Sequence, residues 1–259
     1  LQVSLIPVAT AANPDVLHET TTIVFDVLRA TSTIVTALAS GYRRVYPVAD
    51  AGTALVMAHK HGFVPAGERG GDKIAGFPHG NSPLEFIGGP NVGISNDAQK
   101  CNVLILTTTN GTKAIRWAES AYKVFTGSLL NARAVAQAVL REGLDVSLVC
   151  AGTGGRFSLE DTLGAGFVFM EIMKHLNGED SSRLAAGMAV DDLPIAAYEL
   201  ARFYYHDPLS GLMAGRHGQR LLRRGLEDDL RWCAQLNRYD IAPVLSGEFI
   251  TTGNDYTKQ

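Results

Sequence analysis

The chain has 259 residues, 46% hydrophobic and 19% charged, so it carries enough apolar material for a large globular core. Its net charge of -3 gives no electrostatic case for nucleic acid, and no apolar stretch reaches the length of a bilayer span. Cys101, Cys150 and Cys233 are scattered, with no C-x-x-C pair, which argues against a disulfide framework or a structural zinc. Pro7, Asn13, Pro14 and Asp15 interrupt any N-terminal apolar run that could act as a secretory signal, so the expected setting is a reducing cytoplasm.

In chain order, residues 22–27 form an apolar, β-branched run that predicts a strand, followed by a helix over 32–40 that ends near Gly41. A strand over 44–48, a helix over 50–61 stopped by Gly62, and a short strand over 63–66 complete a βαβαβ order. Residues 70–102 are rich in Gly, Pro and Asn and read as a long functional connection or flap. The alternation then resumes, with strands over 103–106, 123–125 and 146–150 and helices over 111–118 and 132–142. The offset between the two runs is about 80 residues, as in a weak internal duplication with halves of about 20–100 and 101–240. Past Leu159 the chain turns helical, over 161–176, 193–203 and 218–236, and from Ala242 it reads as an irregular tail. The expected fold is therefore α/β, a three-layer α/β/α arrangement with mainly parallel sheet and a helical C-terminal part, within one domain over 1–259.

Five polar segments each follow a β-like run. They are Asp26-Val27-Leu28-Arg29-Ala30-Thr31-Ser32, Gly67-Glu68-Arg69-Gly70-Gly71, Thr107-Thr108-Thr109-Asn110-Gly111-Thr112, Thr126-Gly127-Ser128 and Ala151-Gly152-Thr153-Gly154-Gly155-Arg156. Ligands of open α/β sheets bind beyond the carboxyl ends of parallel strands, so these loops are expected to share one rim and one cleft. The cleft would hold carboxylates, guanidinium groups and free N–H groups, a set suited to a metal and a small anionic ester.

Asp26 ends an apolar strand, so its carboxylate is expected to face that cleft, and Arg29 has the chemistry of a bidentate phosphate contact. Thr31 and Ser32 open a helix whose unpaired N–H groups favour an anion, although simple capping accounts for their hydroxyls equally well. Glu68 and Arg69 lie between glycines that let main chain approach a ligand. Asp26 and Glu68 are the first-choice ligands for a hard cation such as Mg²⁺, which prefers carboxylate, water and phosphate oxygens. Thr108, Thr109, Asn110, Gly111 and Thr112 resemble an anion cradle without the glycine spacing of a P-loop, and Asn81 contributes if its segment folds over the cleft. Arg156 and Glu160 extend the set. Ser158 and Asp161 read as a capping box variant at a helix start. Cys150 ends a buried strand and is more often a core thiol than a nucleophile. His217 has a structural reading at least as good as an acid–base one. There is no G-x-S-x-G elbow and no G-x-G-x-x-G after the first strand.

Residues 24–33, 66–71, 80–86 and 107–112, together with Cys150-Ala151-Gly152-Thr153 and Phe157-Ser158-Leu159-Glu160-Asp161, closely resemble the 2-phosphosulfolactate phosphatase family over about residues 20–235. The resemblance implies an Mg²⁺-dependent phosphatase for phosphate esters of 2-hydroxy acids, with phosphosulfolactate of coenzyme M biosynthesis as type substrate. It carries over to Asp26, Arg29, Thr31, Ser32, Glu68, Arg69, Asn81, Asn110, Glu160 and Asp161. Of these, Asp161 joins Asp26 and Glu68 as an expected metal ligand. Gly154-Gly155 departs from the pair that relatives often carry, which bears on Arg156. The attacking group is open between water, Asp26 and Cys150. A non-catalytic sensor of a small anionic metabolite is the alternative, and a homo-oligomer is compatible with either reading.

Overall fold

The computed structural model describes residues 1–90, 102–178, 180 and 183–253. A first strand, β1 (Gln2–Ile6), precedes β2 (Thr21–Phe25), α1 (Ala30–Ala39), β3 (Arg44–Pro47), α2 (Ala51–His61), β4 (Val64–Arg69) and β5 (Asp72–Lys73). Then follow β6 (Val103–Thr107), α3 (Gly111–Trp117), β7 (Lys123–Gly127), α4 (Ala132–Glu142), β8 (Val146–Cys150) and α5 (Leu159–Asn177). The remainder comprises β9 (Ala189–Val190), α6 (Asp192–Phe203), α7 (Pro208–Ala214), α8 (Arg216–Arg223), α9 (Glu227–Cys233), β10 (Val244–Ser246) and β11 (Phe249–Thr251). Local chemistry sets the ends of the longer helices. Asp50 caps α2 by accepting from Thr53 N, Ser158 caps α5 by accepting from Asp161 N, and Gly62, Gly143 and Gly178 end α2, α4 and α5 in the left-handed conformation.

The strands form one mixed sheet with helices on both sides, in the order β5-β4-β6-β3-β11-β10-β7-β2-β8-β1-β9. Period-two alternation assigns each strand's side chains to opposite layers. Ile23 and Phe25 of β2 point into a core with Val135 and Val139 of α4 and Leu163 and Phe167 of α5. Val24 points the other way, into a core with Ile34 and Leu38 of α1 and Ile115 of α3 that also holds Val45 of β3 and Leu104 and Leu106 of β6. Tyr46, Ile105 and Ala54 define a third cluster beneath α2. Among the described residues, no helix is long and apolar enough to cross a membrane.

The topology divides the expected, mainly parallel sheet into two blocks. β4-β6-β3 form one parallel block and β7-β2-β8-β1-β9 another. The β10–β11 hairpin lies between them and pairs antiparallel with both, so along the ladder the blocks run in opposite senses. Each block meets the hairpin through a single residue pair, Ile250 with Val45 and Val244 with Phe125, a joint at which a twisted sheet can turn sharply. The order also interleaves the two βαβαβ stretches. β2 is taken between β7 and β8, and β6 between β3 and β4, so neither stretch forms a sheet of its own.

Three further expectations change. The segment from Ala242 is not an irregular tail, because residues 244–251 make the hairpin that joins the blocks, turning at Gly247 with φ 56°. The single helix over 218–236 is broken at Gly225, whose φ of 71° ends α8 before α9 begins. The segment after Gly70 is no free flap as far as residue 90. Phe77, Asn81 and Phe86 are buried, and Thr33 of α1 donates to the Asn81 carbonyl. The rest of that connection, 91–101, lies outside the described residues.

Candidate active site

The carboxyl ends of the two blocks meet where α1 and α3 begin. Gly111 makes the approach tolerable: a Cβ there would stand 2.5 Å from both Ala30 Cβ and Asp26 Oδ2. Two buried carboxylates tie the surrounding loops. Glu68, at the end of β4, accepts from Gly71 N at 2.6 Å and, across to the β6 loop, from Thr109 N at 2.6 Å and Thr109 Oγ1 at 3.1 Å. Asp161, in the first turn of α5, accepts from Val27 N at 2.9 Å after β2 and from Gly152 N at 3.0 Å after β8. Each carboxylate therefore bridges the ends of two neighbouring parallel strands within one block.

Asp26 sits between these ties with less support. Its Oδ1 accepts a long bond, 3.4 Å from Ala30 N, the Gly111 main chain also bonds to the carboxylate, and its own N–H donates to Thr31 Oγ1. Burial, and then the charges of Glu68 and Glu160, push its carboxyl up to about 7. Burial also raises Glu160, and burial with the charges of Asp26 and Glu160 raises Asp161 well above the ordinary carboxylate range. Buried carboxylates set against one another in this way mark a point that is short of positive charge.

Most of the hydroxyls expected to bind substrate are engaged within the protein. Thr108 and Thr112 exchange bonds, N–H to Oγ1 in each direction, at 3.1 and 3.0 Å. Thr109 serves Glu68, Asn110 Oδ1 accepts from Gly154 N, and Ser32 Oγ donates to the Val27 carbonyl. The segment after β7 is likewise closed on itself, with Asn131 Oδ1 accepting from Ser128 N. Arg69 is drawn away from the centre: it donates to the carbonyls of Glu68 and Ala49 and to Thr107 Oγ1. Arg156 is exposed on the turn it forms with Thr153. Asn81 is buried, and its Oδ1 has no hydrogen-bond partner.

The structure also speaks against a Cys150 nucleophile. The residue is fully buried, 4.0 Å from Thr162 Oγ1, and burial together with the Asp161 charge pushes its thiol well above the ordinary value. In Glu68 and Asp161 both oxygens of each accept main-chain N–H groups, so these expected ligands also serve as loop ties.

Positive charge comes partly from residues that sequence reasoning passed over. Arg29 is buried and ion-paired with Asp229 of α9, and Ser82 donates to the other oxygen of Asp229. Arg220 and Arg224 both donate to the Gly70 carbonyl, and Arg224 also pairs with Asp72. His217 opens α8. Burial, with Arg29 and Arg220 nearby, pushes its imidazole down to about 4, and its Nδ1 is buried with no partner. The readable signal was the spacing of Arg216, Arg220 and Arg223, which puts three cations on one helical face.

A divalent cation fits the centre only in a sparse mode. Among the described residues, no three His, Cys, Asp or Glu side chains stand together as a ligand cluster. Mg²⁺ commonly takes one or two carboxylates and completes its shell with water and phosphate oxygens. Asp26 and Glu160, both raised by burial although Ala30 and Gly111 bond to the first and Ser158 and Thr153 to the second, suit that mode.

These loops belong to segments shared with known proteins. Residues 7–248 match the family described as 2-phosphosulpholactate phosphatase. The chain belongs to the 2-phosphosulpholactate phosphatase family. It is 40% identical over 222 residues to a probable 2-phosphosulfolactate phosphatase of Carboxydothermus hydrogenoformans, covering 85% of this chain and 84% of the relative. It is 36% identical over 243 residues to a protein of the same description from Caldanaerobacter subterraneus subsp. tengcongensis, covering 93% of each. A third such relative, from Symbiobacterium thermophilum, is 40% identical over 227 residues, covering 86% of this chain and 90% of the relative. Every segment of the site within 7–248 thus falls inside the family match.

Proposed function

We propose that the protein hydrolyses the phosphate monoester of a 2-hydroxy acid, with 2-phosphosulfolactate yielding sulfolactate and inorganic phosphate, in an Mg²⁺-dependent reaction. The observation that carries this reading is Asp26, a buried carboxyl just before α1, set against the charges of Glu68 and Glu160 and pushed up to about 7, with the buried Arg29 three residues on. Phosphoryl transfer needs positive charge around the non-bridging oxygens and in-line positioning more than covalent chemistry from the protein. Arg29, oriented by its ion pair with Asp229, contributes one such charge, and the first N–H groups of α1 contribute partial charges. Asp26 and Glu160 are the residues that would hold Mg²⁺, which when bound supplies Lewis-acid stabilisation to the phosphate. With Glu68 and Asp161 fixing the loops, the phosphate lies against a rigid floor. Water is the nucleophile that best suits the site, since Cys150 is held as a buried thiol.

The test is phosphate release from a panel of 2-phospho-hydroxy acids with Mg²⁺ and after chelation. Release that requires Mg²⁺ and is greatest with 2-phosphosulfolactate is the expected result. Tight binding of these esters with no release from any of them would replace the enzyme by a sensor. Acid-quenched protein is expected to show no mass increase. A phosphoryl adduct mapped to Asp26 would replace water by an aspartyl nucleophile.

A further inference from the structure

A cavity of about 570 Å³ lies between the start of α5 and α8, walled by Ser158 and Glu160 on one side and by Arg216, His217, Arg220 and Arg223 on the other. The three arginines are spaced i, i+4 and i+7, so they share one face of α8. Like charges at this spacing repel and destabilise a helix by a few tenths of a kcal/mol per pair. Among the described residues, Arg216 and Arg223 have no hydrogen-bond or ion-pair partner, and Arg220 reaches only the Gly70 carbonyl. The buried Nδ1 of His217 is unpartnered on the same wall. Gly215, at the start of α8, lets that wall come close to the catalytic carboxylates: a Cβ there would stand 2.8 Å from Glu160 Oε2. The cavity is thus continuous with the phosphate end of the site at Glu160 and becomes positively charged away from it.

We propose that this cavity binds the anionic end of the substrate remote from the phosphate, a sulfonate or carboxylate, with Arg216 and Arg223 as the residues that set specificity and His217 hydrogen-bonded to the same group. The inference rests on the phosphatase reading and assigns to α8 an anion-binding role for which Arg69 and residues 108–112 have few polar groups left, since these are largely occupied internally. A substrate with charge at both ends then lies across Glu160, its phosphate toward Arg29 and its tail toward α8. Cations gathered in a concave wall raise the local concentration of such a ligand and strengthen its binding.

The experiment uses Arg216→Gln, Arg223→Gln and the double variant in the full chain. All are surface changes on α8, and circular dichroism with thermal melts checks that the fold is kept. The ratio kcat/KM is measured for 2-phosphosulfolactate, for 2-phospholactate, which keeps a carboxylate alone, and for 4-nitrophenyl phosphate, which has no anionic tail. The double variant is expected to lose about a hundredfold on the first, less on the second, and under about threefold on the third. Equal losses on all three, or none on the first, overturn the assignment. Calorimetry with sulfolactate alone and with inorganic phosphate alone separates this claim from the phosphatase reading. Sulfolactate binding weakened about tenfold or more, with phosphate binding unchanged, supports the tail site even if no ester is hydrolysed. Unchanged sulfolactate binding overturns it even if hydrolysis is normal.

Discussion

The ends of β2 and β6 are built alike and equipped differently. After β2, the Asp26 N–H donates to the hydroxyl of Thr31; after β6, the Thr108 N–H donates to the hydroxyl of Thr112, each at 3.1 Å. At β6 the loop is chemically closed, because Thr108 Oγ1 accepts the Thr112 N–H at 3.0 Å. At β2 the corresponding side chain is a carboxylate that the main chain of Ala30, at 3.4 Å, and of Gly111 supports, with two like charges for neighbours. The same backbone corner is a closed joint with threonine and, with aspartate, the proposed metal-binding corner. The difference lies less in the loop's shape than in the charge that burial and like neighbours press on one side chain.

Replacing that side chain is the strongest way to break the comparison. Asp26→Asn makes the β2 corner as neutral as the β6 corner, and turnover is expected to fall by at least about a thousandfold. The variant should also be more stable. In the folded protein Asp26 titrates near 7 against an ordinary 3.8, so the folded state binds more protons between those values. Stability from this group is thus present below about pH 4 and lost as pH rises through 7. In chelated protein at pH 8, urea unfolding should show Asp26→Asn more stable by about 2–4 kcal/mol. A variant no more stable than wild type would mean that Asp26 is not held under charge stress.

The two carboxylate ties offer the next contrast. Asp161→Ala leaves the N–H groups of Val27 and Gly152 without an acceptor in fully buried surroundings. Glu68→Ala strands Gly71 N and Thr109 N, which are only half-buried and can turn to water. Denaturant midpoints should show a cost of about 3 kcal/mol for the first and about 1–2 kcal/mol for the second. Equal costs would show that the two blocks are tied with the same strength.

How far this site was legible in the sequence follows the same division. The strands and helices from 22 to 150 were readable because alternation, Asp50 and the glycines at 62 and 143 act over a few residues. Asp26, Arg29, Glu68, Glu160 and Asp161 were also readable, since each is a charged residue at the edge of an apolar run. Sequence could not tell which carboxylate ties loops and which remains strained. That depends on whether a main-chain N–H from another strand lies within reach, as Gly152 N does for Asp161. Asp229 was missed because it sits in the acidic run Glu227-Asp228-Asp229, where only the fold shows that the third member is buried against Arg29. The β10–β11 hairpin was missed because three-residue strands carry too little alternation to register, and the opposed sense of the two blocks depends on it.

The close approach of the two corners can be tested at the point where they touch. Gly111→Ala places a methyl group 2.5 Å from Ala30 Cβ and from Asp26 Oδ2, and both belong to the opposite corner. Overpacking of this kind is expected to cost about 2–3 kcal/mol in unfolding and to lower kcat along with it. A variant of normal stability and activity would show that the corners can separate.

The smallest effect is a change of slope, and it distinguishes the carboxylate side of the site from the α8 side. His217 titrates near 4 in the folded protein against an ordinary 6.5, so between those values the unfolded chain binds more protons. Its contribution makes stability rise with pH across that window, and it is lost as pH falls toward 4. Asp26, with Glu160 and Asp161 acting in the same sense, makes stability fall as pH rises over an overlapping range. In chelated wild-type protein the His217 slope offsets only part of the carboxylate slope between pH 4 and 6.5. His217→Gln removes one of them, so stability should fall with pH by about 2 kcal/mol more than in wild type across that window. Asp26→Asn should tilt the profile the opposite way. If both variants keep the wild-type profile, neither corner carries the charge stress that links this fold to its chemistry.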